Sequence, residues 1–126
     1  MPAEFRLSNE RVCLIKYSDP LVASDMDRSS AELVAYAETA PQPLLVIGDY
    51  TEITQLSTSL ISVGLRQGNG NPLRNPRVEK IIVITNLPVI VNLASTVSHI
   101  LGIKKLVVVQ TQAQADKEIE RFISTE

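Results

Sequence analysis

This 126-residue chain has 14 Asp and Glu residues but a single Cys and a single His. Asp49 and Glu52 invite comparison with the paired carboxylates of glycosidases. No His, Lys or Arg stands beside them in the sequence to tune either group, so we interpret them as solvated loop carboxylates. The single Cys13 and the single His99 cannot build a zinc site, and we interpret them as a small buried hydrophobe and a surface residue. We therefore predict no catalytic residue, no metal and no cofactor, in a protein that is not an enzyme.

Three hydroxyl residues stand together at the predicted start of a helix: Ser57, Thr58 and Ser59. A helix start offers free N–H groups and the positive end of the helix dipole, which would stabilise a phosphate on one of these side chains. The same residue types commonly cap helices, and we favour this second interpretation. The glycine-rich loop at 68–76 follows a helix and precedes a strand, which is the reverse of the nucleotide-binding motifs.

A second candidate site consists of Asp49, Tyr50 and Asn86, which follow two predicted buried strands. Open α/β sheets bind ligands at the carboxyl ends of their strands. An alternative function is therefore a small-molecule or lipid-binding module that uses a crevice at these residues. Gly48 ends the first of the two strands, so we expect substitutions there to be tolerated poorly.

The hydrophobic pattern predicts the element order ββαβαβαβα. Predicted strands are Glu4–Leu7, Arg11–Ser18, Pro43–Asp49, Val78–Thr85 and Lys105–Gln110. The helices are expected from Ser24 to before Pro41, at about 57–67, at Pro88–Leu101 and after Thr111. Thr111 and Gln114 form a capping box, and the buried side of the last helix is predicted to carry Ala115, Ile119, Phe122 and Ile123.

Apolar strands joined by helices imply parallel pairing with right-handed crossovers, while the opening hairpin adds an antiparallel strand. The fold class is thus α/β, with a mixed, mostly parallel sheet and helices packed on it, in a single domain over residues 1–126.

Composition excludes several classes of protein. A hydrophobic content of 44% excludes disorder, and a formal net charge of −2 argues against a nucleic-acid binder. Residues 81–103 carry no charge and are long enough to span a membrane, but their polar residues argue against a transmembrane segment. The first residues lack the pattern of a signal peptide, and we predict a cytoplasmic protein.

The segments LLVIGDYTEIT and RVEKIIVITNLP, each followed by a predicted helix, resemble the STAS and SpoIIAA-like family of anti-sigma-factor antagonists. The resemblance covers nearly the whole chain and implies a SpoIIAA-like sandwich that acts as a non-catalytic regulatory or protein-interaction domain. In the sigma-regulating branch, a partner kinase phosphorylates a serine within an Asp-Ser-Ser/Ala-Gly motif. Here Gln55 stands in place of the Asp and the Gly is absent, so a phosphorylation switch at Ser57, Thr58 or Ser59 is not expected.

The helix Pro88–Leu101 carries no charged residue. Helical spacing directs five of its side chains toward the sheet: Ile90, Leu93, Ala94, Val97 and Leu101. Because interface centres are depleted in charge, we predict a homodimer, or docking of another protein, through Val91, Ser95 and His99. The alternative is that the chain's own segment Met1–Leu7 covers this face.

Basic residues concentrate in the second half of the chain. Residues 1–60 carry a net charge of −5, whereas residues 61–105 carry +5. Five bases map to the amino-terminal edge of the predicted parallel strands: Arg66, Arg74, Arg77, Lys104 and Lys105. They could bind an acidic partner or a lipid surface, but complementarity to helix C-termini is the interpretation we favour.

Overall fold

The computed structural model of the chain describes residues 3–8, 10–19, 23–54, 76–101 and 105–124. Within these residues the strands are β1 (Ala3–Leu7), β2 (Val12–Ser18), β3 (Leu44–Glu52), β4 (Val78–Ile84) and β5 (Leu106–Val109). The helices are α1 (Ala23–Thr39), α2 (Pro88–Leu101) and α3 (Gln112–Ser124). The helix predicted at about 57–67 lies outside the described residues.

The strands form one five-stranded sheet in the order β1-β2-β3-β4-β5. β1 runs antiparallel to β2, because a short turn can join only antiparallel neighbours. β2, β3, β4 and β5 are parallel to one another. The α/β class and the mixed sheet are confirmed, although the sheet is only partly parallel. The SpoIIAA-like order stays a prediction.

The core consists of two apolar clusters, one on each face of the sheet. Alternation along the strands sends neighbouring side chains to opposite faces, so Cys13 and Ile15 belong to one cluster while Val12 and Leu14 belong to the other. α1 and α2 pack on the first face through residues such as Leu33 and Ile90. α3 packs on the second face: its side chains there are Ala115, Ile119 and Phe122.

Specific contacts define where two of the helices begin and end. α3 starts with the predicted capping box, since the Gln114 N–H donates to Thr111 Oγ1 at 3.2 Å and the Thr111 N–H donates to Gln114 Oε1 at 3.3 Å. At the carboxyl end of α1, the guanidinium of Arg77 donates to the carbonyl of Ala40 at 2.5 Å. A cation at this end of a helix satisfies carbonyls that lack partners within the helix.

Two details of the sequence-based prediction are wrong. β3 continues to Glu52 rather than ending at Asp49, so Gly48 lies inside the strand. Ile123, predicted to be buried, is 45% exposed, because the neighbouring Phe122 takes the position facing the sheet. None of the helices in the described residues is both long and apolar enough to cross a membrane.

Candidate functional site

The two candidate sites that the structure describes lie in different parts of the molecule. Asp49, Tyr50 and Asn86 lie at the carboxyl ends of β3 and β4, whereas Val91, Ser95 and His99 lie along α2. The third candidate site, the hydroxyl cluster Ser57, Thr58 and Ser59, falls outside the described residues.

Asp49 makes local hydrogen bonds. Its Oδ1 accepts the Thr51 N–H at 2.9 Å and the Thr51 hydroxyl at 2.6 Å. A carboxylate that accepts bonds from the residue two positions ahead stabilises the local turn of the backbone. Asp49 continues the row of Ile47, which packs on the α3 face of the sheet.

Tyr50 lies on the opposite face of β3, against the cluster that α1 and α2 cover. Its ring stacks on the ring of Tyr17 in the adjacent strand, with centroids 4.5 Å apart and planes 21° from parallel. Burial, together with the neighbouring Tyr17 phenol, raises the pKa of Tyr50 well above its ordinary value. Burial also raises the pKa of Tyr17, and hydrogen bonds with Ser29 and Tyr50 offset part of that rise. These phenols are therefore neutral packing groups at ordinary pH.

The three residues of the predicted crevice have different positions at the end of the sheet. Asp49 and Tyr50 point to opposite faces of the sheet, and Asn86 is exposed beyond the end of β4. A ligand-binding role for these three residues stays a prediction.

A contact between distant segments at the same edge was not predicted. Asp19 follows β2, and its Oδ2 accepts both the N–H of Thr54 at 3.0 Å and the Thr54 hydroxyl at 2.5 Å. Next to it, the ammonium of Lys16 lies 2.9 Å from the carboxylate of Glu52, which raises the pKa of Lys16. These contacts hold the ends of β2 and β3 together. Neighbouring residues in the sequence carry no signal for them, because Asp19 and Thr54 are 35 positions apart.

α2 carries the residues of the predicted interface. Val91, Ser95 and His99 are spaced by four residues and therefore follow one row along the helix. Ser95 and His99 are exposed and Val91 is half-buried, while Asn92 and Thr96 are exposed beside them. We call these five residues the uncharged face of α2. Val89, which is 44% exposed, extends the apolar character of this helix to its first turn.

The outer surfaces of the other two helices differ from the uncharged face in their chemistry. On α1, the guanidinium of Arg28 lies 3.6 Å from the carboxylate of Asp25 and 3.9 Å from that of Glu32. On α3, Arg121 and Glu118 form an ion pair at 3.0 Å. Both helices thus present charged side chains to solvent, as exposed helices ordinarily do. α2 has no charged side chain at all.

The alternative cover for the uncharged face was the segment Met1–Leu7, and its described part lies away from α2. Residues 3–7 form β1, which pairs with β2 and contacts α1. α2 contacts β5, the strand at the opposite edge of the sheet. Within the described residues, the start of the chain therefore does not cover the uncharged face.

The described bases at the amino-terminal edge make structural contacts. Arg77 donates to the carbonyls of Ala37 and Ala40 at the end of α1. Lys105 Nζ donates to the carbonyl of Val78 at 2.7 Å. Burial lowers the pKa of Lys105. The contacts of Arg77 fit the interpretation of complementarity to a helix C-terminus, whereas Lys105 bonds to a strand carbonyl. Arg66, Arg74 and Lys104 lie outside the described residues.

Cys13 is fully buried on β2, and burial raises the pKa of its thiol to about 11. A thiol of this kind is protonated at neutral pH and is a poor nucleophile. The part of the chain that the structure describes contains no group of three or more His, Cys, Asp or Glu side chains that could hold a metal ion.

No protein-family model, no curated protein and no solved structure matches this chain. The resemblance to the STAS and SpoIIAA-like family therefore rests on the sequence pattern alone.

Proposed function

We propose that this chain is a non-catalytic regulatory domain that acts by binding protein, and that the uncharged face of α2 is its docking surface. The observation that carries the proposal is the contrast between helices: α1 and α3 present ion pairs to solvent, whereas α2 presents Val91, Ser95 and His99. Charge depletion with some apolar exposure is the composition of interface centres.

The occupant that this face fits is a second copy of the chain. Two identical surfaces meet across a two-fold axis, so every charge on such a surface is placed near a like charge or must find an opposite one. A face without charged residues avoids this repulsion altogether. In an antiparallel pair of α2 helices centred on Ser95, His99 of one copy lies beside Val91 of the other.

Hydrogen bonds made by polar side chains elsewhere in the described residues support a structural role for these side chains and not a catalytic one. Asp19 and Asp49 accept hydrogen bonds from Thr54 and Thr51, and Lys105 donates to a strand carbonyl. The regulatory role and the cytoplasmic location belong to this proposal: the role follows from the family resemblance, and the location from the sequence pattern of the first residues. Because Gln55 stands in place of the motif Asp, we propose regulation by protein contact and not by phosphorylation.

The test adds two charges to the uncharged face. In Val91→Glu/Ser95→Glu, each docked pair of helices would bury four carboxylates, so we expect the apparent Kd of this contact to rise about tenfold or more. Light scattering should then give a lower average mass than for the wild-type chain at the same concentration.

The matched control is Ala31→Glu/Ala35→Glu, which adds the same charges at the same spacing on exposed positions of α1. We expect its average mass to equal that of the wild type. Circular dichroism should show all three chains folded. Equal masses for the α2 variant and the control would contradict the proposed docking surface.

A further inference from the structure

His99 is the one residue of the uncharged face of α2 that can gain a charge near neutral pH. The helix carries no Asp, Glu, Lys or Arg, and histidine side chains gain a proton between about pH 8 and pH 5. His99 is exposed, so water can solvate its charged form in the separated chain. The charge of this face therefore depends on the protonation of a single residue.

The charged groups of the described elements beside α2 already have partners. β5, which α2 contacts, has no titratable residue, and Lys105 just before it donates to a strand carbonyl. β4, which shares an apolar cluster with α2, carries Glu79 and Lys80. Glu79 lies 3.9 Å from Arg11, and Lys80 lies 2.5 Å from Glu118. The buried phenols and the thiol of that cluster keep their protons at neutral pH, because burial raises their pKa values.

Docking changes the surroundings of the imidazole, and this step rests on the proposed function. In the antiparallel pair centred on Ser95, His99 of one copy lies beside Val91 of the other, and the second α2 brings no carboxylate. A protonated imidazole would then lose water without gaining an opposite charge, which disfavours the charged form. Each dimer contains two such positions, one at each end of the helix pair.

We propose that protonation of His99 releases the α2 contact, so that the docking surface is regulated by pH. Protons bind to the separated chains in preference to the dimer, and association therefore weakens as the pH falls. An ordinary histidine is about three-quarters protonated at about pH 6, and the dimer excludes this proton at two positions. Lowering the pH from about 8 to about 6 should thus raise the apparent Kd about tenfold.

The first experiment measures the apparent Kd of the wild-type chain by sedimentation equilibrium at about pH 8 and about pH 6. Both values lie above the sequence pI of about 5.4, so the chain keeps a negative net charge, which opposes non-specific association. The matched control is His99→Gln, which keeps a neutral hydrogen-bonding side chain at this exposed position. The apparent Kd of this control should be the same at both pH values, and circular dichroism should show both chains folded.

The second experiment reverses the sign of the pH dependence. In Val91→Glu, a carboxylate lies beside His99 of the other copy, and protonation of the imidazole completes an ion pair across the contact. This variant should therefore associate about tenfold more tightly at about pH 6 than at about pH 8, which is opposite to the wild-type chain. Adding His99→Gln to this variant should abolish the gain, because the carboxylate then faces no cation.

The outcomes distinguish the docking surface from its regulation. A wild-type chain that stays monomeric at about pH 8 and about 100 μM would overturn the docking surface, and this inference with it. A wild-type chain with the same apparent Kd at both pH values, or with the same pH dependence as His99→Gln, would overturn the role of His99 and leave the docking surface intact. Weaker association of Val91→Glu at the lower pH would overturn the pairing of His99 with Val91.

Discussion

At the scale of single residues, Gly48 shows how a missing side chain positions an aromatic pair. A Cβ at this position would lie 3.2 Å from Cε1 of Tyr50, closer than an ordinary carbon contact. The Tyr50 ring passes over Gly48 and stacks on Tyr17 of the neighbouring strand. We therefore expect Gly48 to be sensitive to substitution for a different reason from the one in the sequence-based prediction, since it permits a close approach and does not end the strand.

The first residue-level prediction concerns this contact. Gly48→Val should lower the free energy of unfolding by about 1–3 kcal/mol, because the added methyl groups displace the Tyr50 ring from Tyr17. Urea denaturation measures this loss. In a Tyr50→Ala background the ring is absent, so the same substitution should cost less. Equal costs in both backgrounds would show that the Tyr50 ring is not the cause.

The second residue-level prediction concerns alkaline pH. The pKa values of Tyr17 and Tyr50 are raised in the folded chain, mainly by burial, whereas the unfolded chain releases phenol protons at about pH 10. Above that pH the unfolded state binds fewer protons than the folded state, so the stability should fall as the pH rises. Tyr17→Phe/Tyr50→Phe should make the free energy of unfolding less dependent on pH. Urea titrations within about one pH unit of the ordinary phenol pKa measure this dependence. An unchanged slope would contradict it.

At the scale of elements, helix ends are stabilised by side chains of two origins. α3 is capped locally, by Thr111 and Gln114 within its own first turn. α1 ends at carbonyls that Arg77 reaches from the start of β4, 37 positions further along the chain than Ala40. The local cap is readable as a motif, and the distant one depends on the packing of α1 beside β4.

The prediction for elements tests the local cap. Thr111→Ala should lower the free energy of unfolding by about 1 kcal/mol, because the Gln114 N–H loses its acceptor. Thr111→Ser is the matched control: it keeps a hydroxyl and should retain most of the stability. Thermal unfolding followed by circular dichroism distinguishes the two. If both substitutions had the same effect, the hydroxyl would have no capping role.

At the scale of the whole molecule, the proposed docking surface on α2 lies away from the sheet edge that β1 forms. α2 contacts β5, whereas β1 contacts α1 at the opposite edge of the sheet. α2 carries no charged side chain, so association through it would depend on apolar and neutral polar contacts.

The prediction for the whole molecule uses salt. Ions screen exposed charge pairs, and a contact without charged side chains has none to screen. Raising the salt from about 0.05 M to 1 M should therefore leave association through α2 in place or strengthen it. In sedimentation experiments, the wild-type chain should keep its average mass as the salt rises. A mass that falls with rising salt would contradict a contact made by the uncharged face of α2.

Most elements of this fold were predicted from local pattern. The described strands and helices coincide with the predicted ones to within a few residues, and the bounds of α2 agree at both ends. Period-two and helical spacing are local properties that burial on a sheet enforces along each segment. The capping box of α3 was predicted for the same reason, since both partners lie within one turn.

The candidate crevice depends on tertiary structure and stays a prediction. Asp49 and Tyr50 are neighbours in the sequence, yet the continuation of β3 through them sends their side chains to opposite faces of the sheet. The contact of Asp19 with Thr54 and the stack of Tyr17 on Tyr50 join segments more than 30 positions apart. Such pairs depend on strand register. The sequence alone therefore determined the elements and the absence of charge on α2, while only the register of neighbouring strands decided which side chains meet, because one residue of slip exchanges the two faces of a strand.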